Sequence, residues 1–194
     1  MTHVMENQEK TAFHIAVTGH RFIPEDTHLD GSVRQVLAEI VMAHADRPIW
    51  LYSALAAGSD QLVARVAKDF EAIELIVLLP KPAEDYLADF VSEEDRIGFR
   101  ELLASAKAVI PVSGFNELSS PYQALGEFLV SQADMLVAIW NGVYNGKKGG
   151  TGDVVQTALD AGIPVYWVYC PNRKPGEINT LDHEKQIGEI EELG

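Results

Sequence analysis

The residues best suited to chemistry stand together at Gly149-Gly150-Thr151-Gly152-Asp153. Glycines spaced this closely let a backbone approach a ligand, and a hydroxyl and a carboxylate lie among and after them. If the run opens a helix, its free N–H groups attract an anion such as phosphate. Thr151 would then add a hydroxyl donor or cap the helix. A plain connecting turn is the other reading of the glycines. Lys147 and Lys148 precede them and either assist a phosphate or stay solvated. No Lys-Ser/Thr pair follows, so this is not a Walker A loop, and the G-x-G-x-x-G spacing of dinucleotide folds is absent.

Three shorter groups have comparable chemistry. In Thr18-Gly19-His20-Arg21, the arginine could grip a phosphate with two hydrogen bonds and the histidine could exchange a proton near neutral pH. Equally, Arg21 could pair with a surface carboxylate and His20 could be satisfied by backbone. In Ala56-Ala57-Gly58-Ser59-Asp60, the aspartate suits a helix N-terminus through capping and the helix dipole, with a ribose contact as the rival role. In Trp140-Asn141-Gly142, the indole either stacks a base or completes a core. His14, His28, His44 and His183 form no spaced ligand set, so no metal is expected. Neither a Ser/His/Asp series nor a G-x-S-x-G elbow argues for a hydrolase triad.

Positioning these groups falls to an alternation of strands and helices. Strand-like runs occupy Phe13–Thr18, Ile49–Leu55, Ile73–Leu79, Ala108–Val112, Asp134–Trp140 and Pro164–Tyr169. Between them, apolar residues recur at steps of three and four, as at Val33, Val36, Leu37, Ile40 and Val41, or Leu62, Val63, Val66, Ala67 and Phe70. Further helices are expected over Ala83–Lys107 with a break near Ser92, over Pro121–Gln132, and over Thr151–Ala161. Pro111 cannot donate to a ladder and suits an edge strand. Continuous apolar strands are buried on both faces, the condition of a parallel sheet covered by helices. The predicted fold is α/β: a three-layer Rossmann-like domain with a mostly parallel sheet of about six strands and helices on both faces. One domain spans residues 1–194, with its core at 13–169 and a C-terminal extension at 171–194. That extension is expected to be mobile, with a short helix near Asp182–Leu193. Ligands of such sheets bind at the carboxyl ends of the strands, so Gly19, Gly58, Asn141 and Gly150 should line one cleft.

Bulk properties narrow the partners. Fifteen basic and twenty-nine acidic side chains give a net charge of −14. Such a surface repels polynucleotides and anionic membranes, while leaving room for a small anion in a local positive pocket. No nucleic acid and no membrane is therefore expected as a partner. Cys170 is the single cysteine, so no intrachain disulfide can form. Met1–Lys10 lacks the apolar core of a signal peptide, and no apolar run approaches the ~20 residues of a membrane span. A cytoplasmic location is expected.

With IAVTGHR (Ile15–Arg21), SALAAGSD (Ser53–Asp60), the LLP end of the third strand, and ADMLVAIWNG followed by GGTGDVV (Gly149–Val155), the chain resembles the SLOG superfamily. That group of Rossmann-like domains includes the lonely-guy (LOG) phosphoribohydrolases, DNA-processing protein A and nucleotide-sensing domains. The resemblance covers roughly Phe13 to Val168 and implies binding of nucleotides or ADP-ribose-like derivatives, often by dimers, so a homo-oligomer is expected. Departures bear on catalysis. The phosphoribohydrolases carry G-G-x-G-T-x-x-E, whose Glu acts in cleavage of the N-glycosidic bond. Here Gln156 stands at the Glu position and Asp153 at that of the Thr, and Tyr122-Gln123 occupies the neighbourhood of their Arg-Lys pair. Asn141 replaces the aspartate of the Trp-Asp-Gly found in sensor-like relatives.

Two functions follow as expectations. The first is a sensor or carrier of a small phosphate-bearing ligand of nucleotide type, needing no cofactor. Arg21 and the Gly149, Gly150, Thr151 and Gly152 backbone would hold phosphate. Thr18, His20 and Asp60 would orient ribose, with Gly19, Gly58, Ser59, Trp140, Asn141 and Asp153 completing the ligand contacts. The second is an N-glycosidic hydrolase in which Asp153 replaces the missing Glu. A DNA-binding role is disfavoured by the charge.

Overall fold

Residues 11–112, 120–175 and 185–194 are described by a computed structural model. The elements run β1 (Phe13–Gly19), α1 (Thr27–Ala43), β2 (Ile49–Ser53), α2 (Ser59–Ala67), β3 (Ile73–Leu79), α3 (Ala83–Leu87) and α4 (Glu93–Ala104). They continue as β4 (Ala108–Pro111), α5 (Pro121–Gln132), β5 (Met135–Trp140), α6 (Thr151–Asp160), β6 (Val165–Tyr169) and β7 (Ile190–Leu193). One seven-stranded sheet has the order β4-β3-β2-β1-β5-β6-β7. Every pairing among β1 to β6 is parallel, whereas β7 joins β6 antiparallel. The three-layer α/β architecture read from the sequence is the one observed.

Burial explains the apolar strands. Ile15, Ala16 and Val17 of the central β1 are fully buried, yet they belong to opposite faces. Ile15 and Val17 pack with Leu29, Val33, Val36 and Leu37 of α1 and with Val63 of α2. Ala16 packs with Leu125 and Leu129 of α5 and Val154 and Ala158 of α6. Pro111 lies in the edge strand β4, where its missing N–H breaks no ladder. The break near Ser92 is the N-cap of α4, where the Ser92 hydroxyl accepts from the Asp95 amide at 3.0 Å. Among the described residues no helix is long and apolar enough to cross a membrane.

The C-terminal extension departs from expectation. Residues 182–184 of the predicted helix lie outside the described residues, but Ile190–Leu193 form a strand instead. Its acidic, helix-spaced sequence is overridden by the open edge of β6, whose backbone groups need partners. The Gly188 amide donates to the Tyr169 carbonyl at 2.9 Å, and the Tyr169 amide donates to the Glu189 carbonyl at 2.8 Å. Ile190 then packs against the α1 face and Leu193 against the α5–α6 face. The Lys185 ammonium sits 4.8 Å from the Trp167 ring centroid and bonds Glu189 and Glu191, docking the segment rather than leaving it free.

The chain leaves β1 toward β2 on one side and returns through β5 on the other, so helices coming from these two halves diverge between β1 and β5. This is the topological switch point at which open α/β sheets bind ligands.

Candidate functional site

A cleft of about 630 Å³ opens at the carboxyl end of the sheet over this switch point. Thr18, Gly19, His20, Arg21, Asp60, Trp140, Gly149, Gly150, Thr151 and Gly152 line it, together with Tyr86, Asp89, Tyr122, Leu125 and Lys147. Its floor is a hydrogen-bonded knot around His20. The His20 amide donates to the Ile139 carbonyl at 3.0 Å, and its carbonyl accepts from the Ser59 amide at 3.0 Å and the Ser59 hydroxyl at 2.9 Å. The Asn141 amide donates to His20 Nε2 at 3.1 Å, which places the proton of the neutral ring on Nδ1. Gly19 has no room for a side chain, since a Cβ there would meet the Ile139 carbonyl at 2.5 Å.

The glycine run begins α6 as its composition suggested. Gly149 takes a left-handed backbone (φ +70°) where a Cβ would meet the Gln123 amide at 2.6 Å. The Thr151 hydroxyl donates to the Gly19 carbonyl at 3.0 Å, tying the helix start to β1. Thr151 and Gly152 are the first two residues of α6, so their amides have no carbonyl one turn earlier within the helix. Those N–H groups and the positive end of the helix dipole border the cleft. Lys148 pairs instead with Asp153 at 2.9 Å, and the Gly149 amide donates to the same carboxylate at 2.9 Å. Burial raises the Asp153 carboxyl, but the bonds from Lys148 and Gly149 outweigh it and hold it below its ordinary value.

Opposite lies a wall of cations and rings. The Arg21 guanidinium and the Lys81 ammonium each sit 5.3 Å from the centroid of Tyr122. Tyr122 donates its hydroxyl to Asp89, which also pairs with Lys81 at 2.8 Å. Beneath Arg21 is Asp60, 6% exposed. Its Oδ2 accepts from the Ser53 hydroxyl and the Ala56 amide, both at 3.4 Å. Burial pushes this carboxyl up to about 7, against the opposing pull of the Ala56 amide, the Arg21 charge, the Ala54 amide and Ser53. The turn that carries it is strained: Leu55, a buried non-glycine residue, has φ +54°.

All four sequence groups lie at one end of the sheet, but not every member faces the cleft. Gly58 (φ +77°) instead makes room for the Arg21 carbonyl, 2.5 Å from where its Cβ would be, and borders a neighbouring hollow. Asn141 is buried and its Oδ1 accepts from the Val143 amide at 3.2 Å, turned back on its own loop. Ser59 supports His20 from below. Asp153 faces Lys148, and Gln156 is on the outer side of α6, bonded to Asp160 at 2.8 Å. Trp140 is 6% exposed, packed among the core residues of the α5–α6 face. Tyr86, which no sequence motif singles out, reaches the cleft, and so does Tyr122, at the place of the phosphoribohydrolases' Arg-Lys pair. Their position just past β3 and at the start of α5 was the available signal. Among the described residues no group of His, Cys, Asp or Glu could hold a metal ion.

No family model and no curated protein sequence matches the chain. Among solved structures, DNA processing protein A from Streptococcus pneumoniae matches 86% of this chain at 16% identity, with a TM-score of 0.54. This chain covers 52% of that protein, about half its length. The structural-genomics target TM1055 matches 79% of this chain and 72% of its own at 15% identity, with a TM-score of 0.44. At this identity the likeness to DNA processing protein A is one of fold alone.

Proposed function

We propose that this chain binds a nucleotide or a nucleotide-derived, ADP-ribose-like small molecule in the cleft, as a sensor or carrier. The observation that carries the reading is the meeting of Arg21 and the first amides of α6, which have no partner within the helix, on one volume of about 630 Å³, a size suited to a small ligand. Arg21 and Lys147 supply positive charge there within a chain whose net charge is −14. A local positive site in an acidic protein favours a small anion over a polynucleotide, which needs many cations along its backbone. Native mass spectrometry of gently purified protein tests the reading. A copurified phosphate-bearing species released on denaturation supports it, whereas protein carrying only non-phosphorylated ligands argues against it.

An N-glycosidic hydrolase is the second reading, and one observation bears on its acid. Asp153 is held by Lys148 and Gly149, while Asp60 lines the cleft with a carboxyl poised near neutrality. General acids work best with such values. Incubation with AMP and chromatography for free adenine decides it: release abolished by Asp60→Asn would promote the enzyme, and no release keeps the binding role.

A further inference from the structure

Resting on the nucleotide reading, we propose that Thr18, Asp60 and Tyr86 form a subsite for two neighbouring hydroxyls, so that the cleft selects ribose over deoxyribose. Tyr86 is 1% exposed and Thr18 8% exposed, yet both line the cleft. Among the described residues neither hydroxyl has a hydrogen-bond partner, and Tyr86 meets Asp60 and Arg21 only through their charges. The two residues are buried but border the cleft, and their hydroxyls keep donor and acceptor positions for a ligand there.

Asp60 is under-used in the same sense. An ionised carboxylate offers roughly four acceptor positions. Here the two side-chain and loop bonds to Oδ2 are both at 3.4 Å, near the limit of a hydrogen bond. The charges beside it restrict what can fill the remainder. A ligand ammonium would be repelled by Arg21, and a phosphate or carboxylate would be repelled by Asp60. A neutral donor satisfies both. Adjacent hydroxyls on a sugar can donate to one carboxylate, while the Tyr86 hydroxyl donates to a sugar oxygen and Thr18 either gives or accepts. Arg21 lies in the same wall, so a phosphate held there would be followed by a sugar at Asp60. A site built to bond a hydroxyl rejects the analogue lacking it more strongly than a lost contact implies, because its own buried groups are left unpaired.

Calorimetric titration at pH 8 with two matched pairs tests this: AMP against 2′-deoxyAMP, and ribose 5-phosphate against 2-deoxyribose 5-phosphate. The wild-type chain should favour the ribose member of each pair by about ten- to a hundredfold, the range for a hydrogen bond to a charged group. Asp60→Asn should bring that ratio close to one while leaving the deoxy ligands bound about as well as before. Tyr86→Phe should reduce the ratio in part. Equal wild-type affinities within each pair overturn the subsite and leave the phosphate reading standing. A loss by Asp60→Asn that is equal for both members also overturns it, since that is the mark of a merely structural role. If none of the four probes binds, the nucleotide reading fails and the subsite with it.

Discussion

Replacing Asp60 by asparagine should stabilise the protein at alkaline pH and do so progressively less as pH falls. The carboxyl is 6% exposed, and burial pushes its pKa from 3.8 to about 7. Between those values the folded protein holds a proton that the unfolded chain has already lost. Stability from this group is thus full below about pH 3.8, falls as pH rises through the window, and is lost above 7. Across the whole window the loss amounts to about 4 kcal/mol at most, at about 1.4 kcal/mol per pKa unit. Roughly 2–3 kcal/mol of it falls between pH 5 and 8. Asparagine keeps an oxygen for the Ala56 amide but never ionises. Urea unfolding of both proteins at pH 5, 6, 7 and 8 reads the difference directly, because every other titrating group is common to the two. The Asp60→Asn protein should gain on wild type with rising pH and level off above pH 7. A stability difference that stays flat over this range would refute the upward push of burial on the Asp60 carboxyl.

Three further outcomes follow from particular contacts. Gly58→Ala places a side chain at φ +77° and against the Arg21 carbonyl, so it should cost about 1–3 kcal/mol or more in urea unfolding; a change within about 0.5 kcal/mol would be that of an ordinary surface site. Leu193→Asp should destabilise by about 1 kcal/mol, since Leu193 is partly buried against the α5–α6 face. It should also speed hydrogen exchange at the Tyr169 and Gly188 amides, and unchanged exchange would argue against the docking of β7. Gln156→Glu should not create AMP cleavage, because Gln156 lies outside the cleft; adenine release by that variant would contradict its placement.

The elements that carry the fold are legible in the sequence because their signals are local. The apolar run of β5, the proline of β4 and the cap at Ser92 each state their role within a few residues. The glycine run can be assigned to the start of α6 for the same reason. Cleft membership is a different matter, decided by which way a side chain leaves its backbone and by what stands opposite. Sequence makes Gly58 a candidate ligand contact, but its missing side chain makes room for the Arg21 carbonyl. Asp153 is a candidate for the cleft by its place in the glycine run, yet Lys148, five residues earlier, claims its carboxylate. Tyr86 sits in a short helix whose charged sequence shows only its helical pattern, and the fold alone brings it beside Asp60 and Arg21. The strand β7 depends wholly on a vacant sheet edge, which no local pattern announces.

The central claim is that the cleft holds the phosphate of a nucleotide through Arg21 and the first amides of α6. Calorimetric titration of AMP and adenosine into wild type and Arg21→Ala tests it most directly. AMP should bind wild type well ahead of adenosine, and Arg21→Ala should cost AMP about 1.5–3 kcal/mol, the range for hydrogen bonds to charged groups, while barely affecting adenosine. Equal binding of AMP and adenosine to wild type, or AMP affinity unchanged by Arg21→Ala, would contradict it.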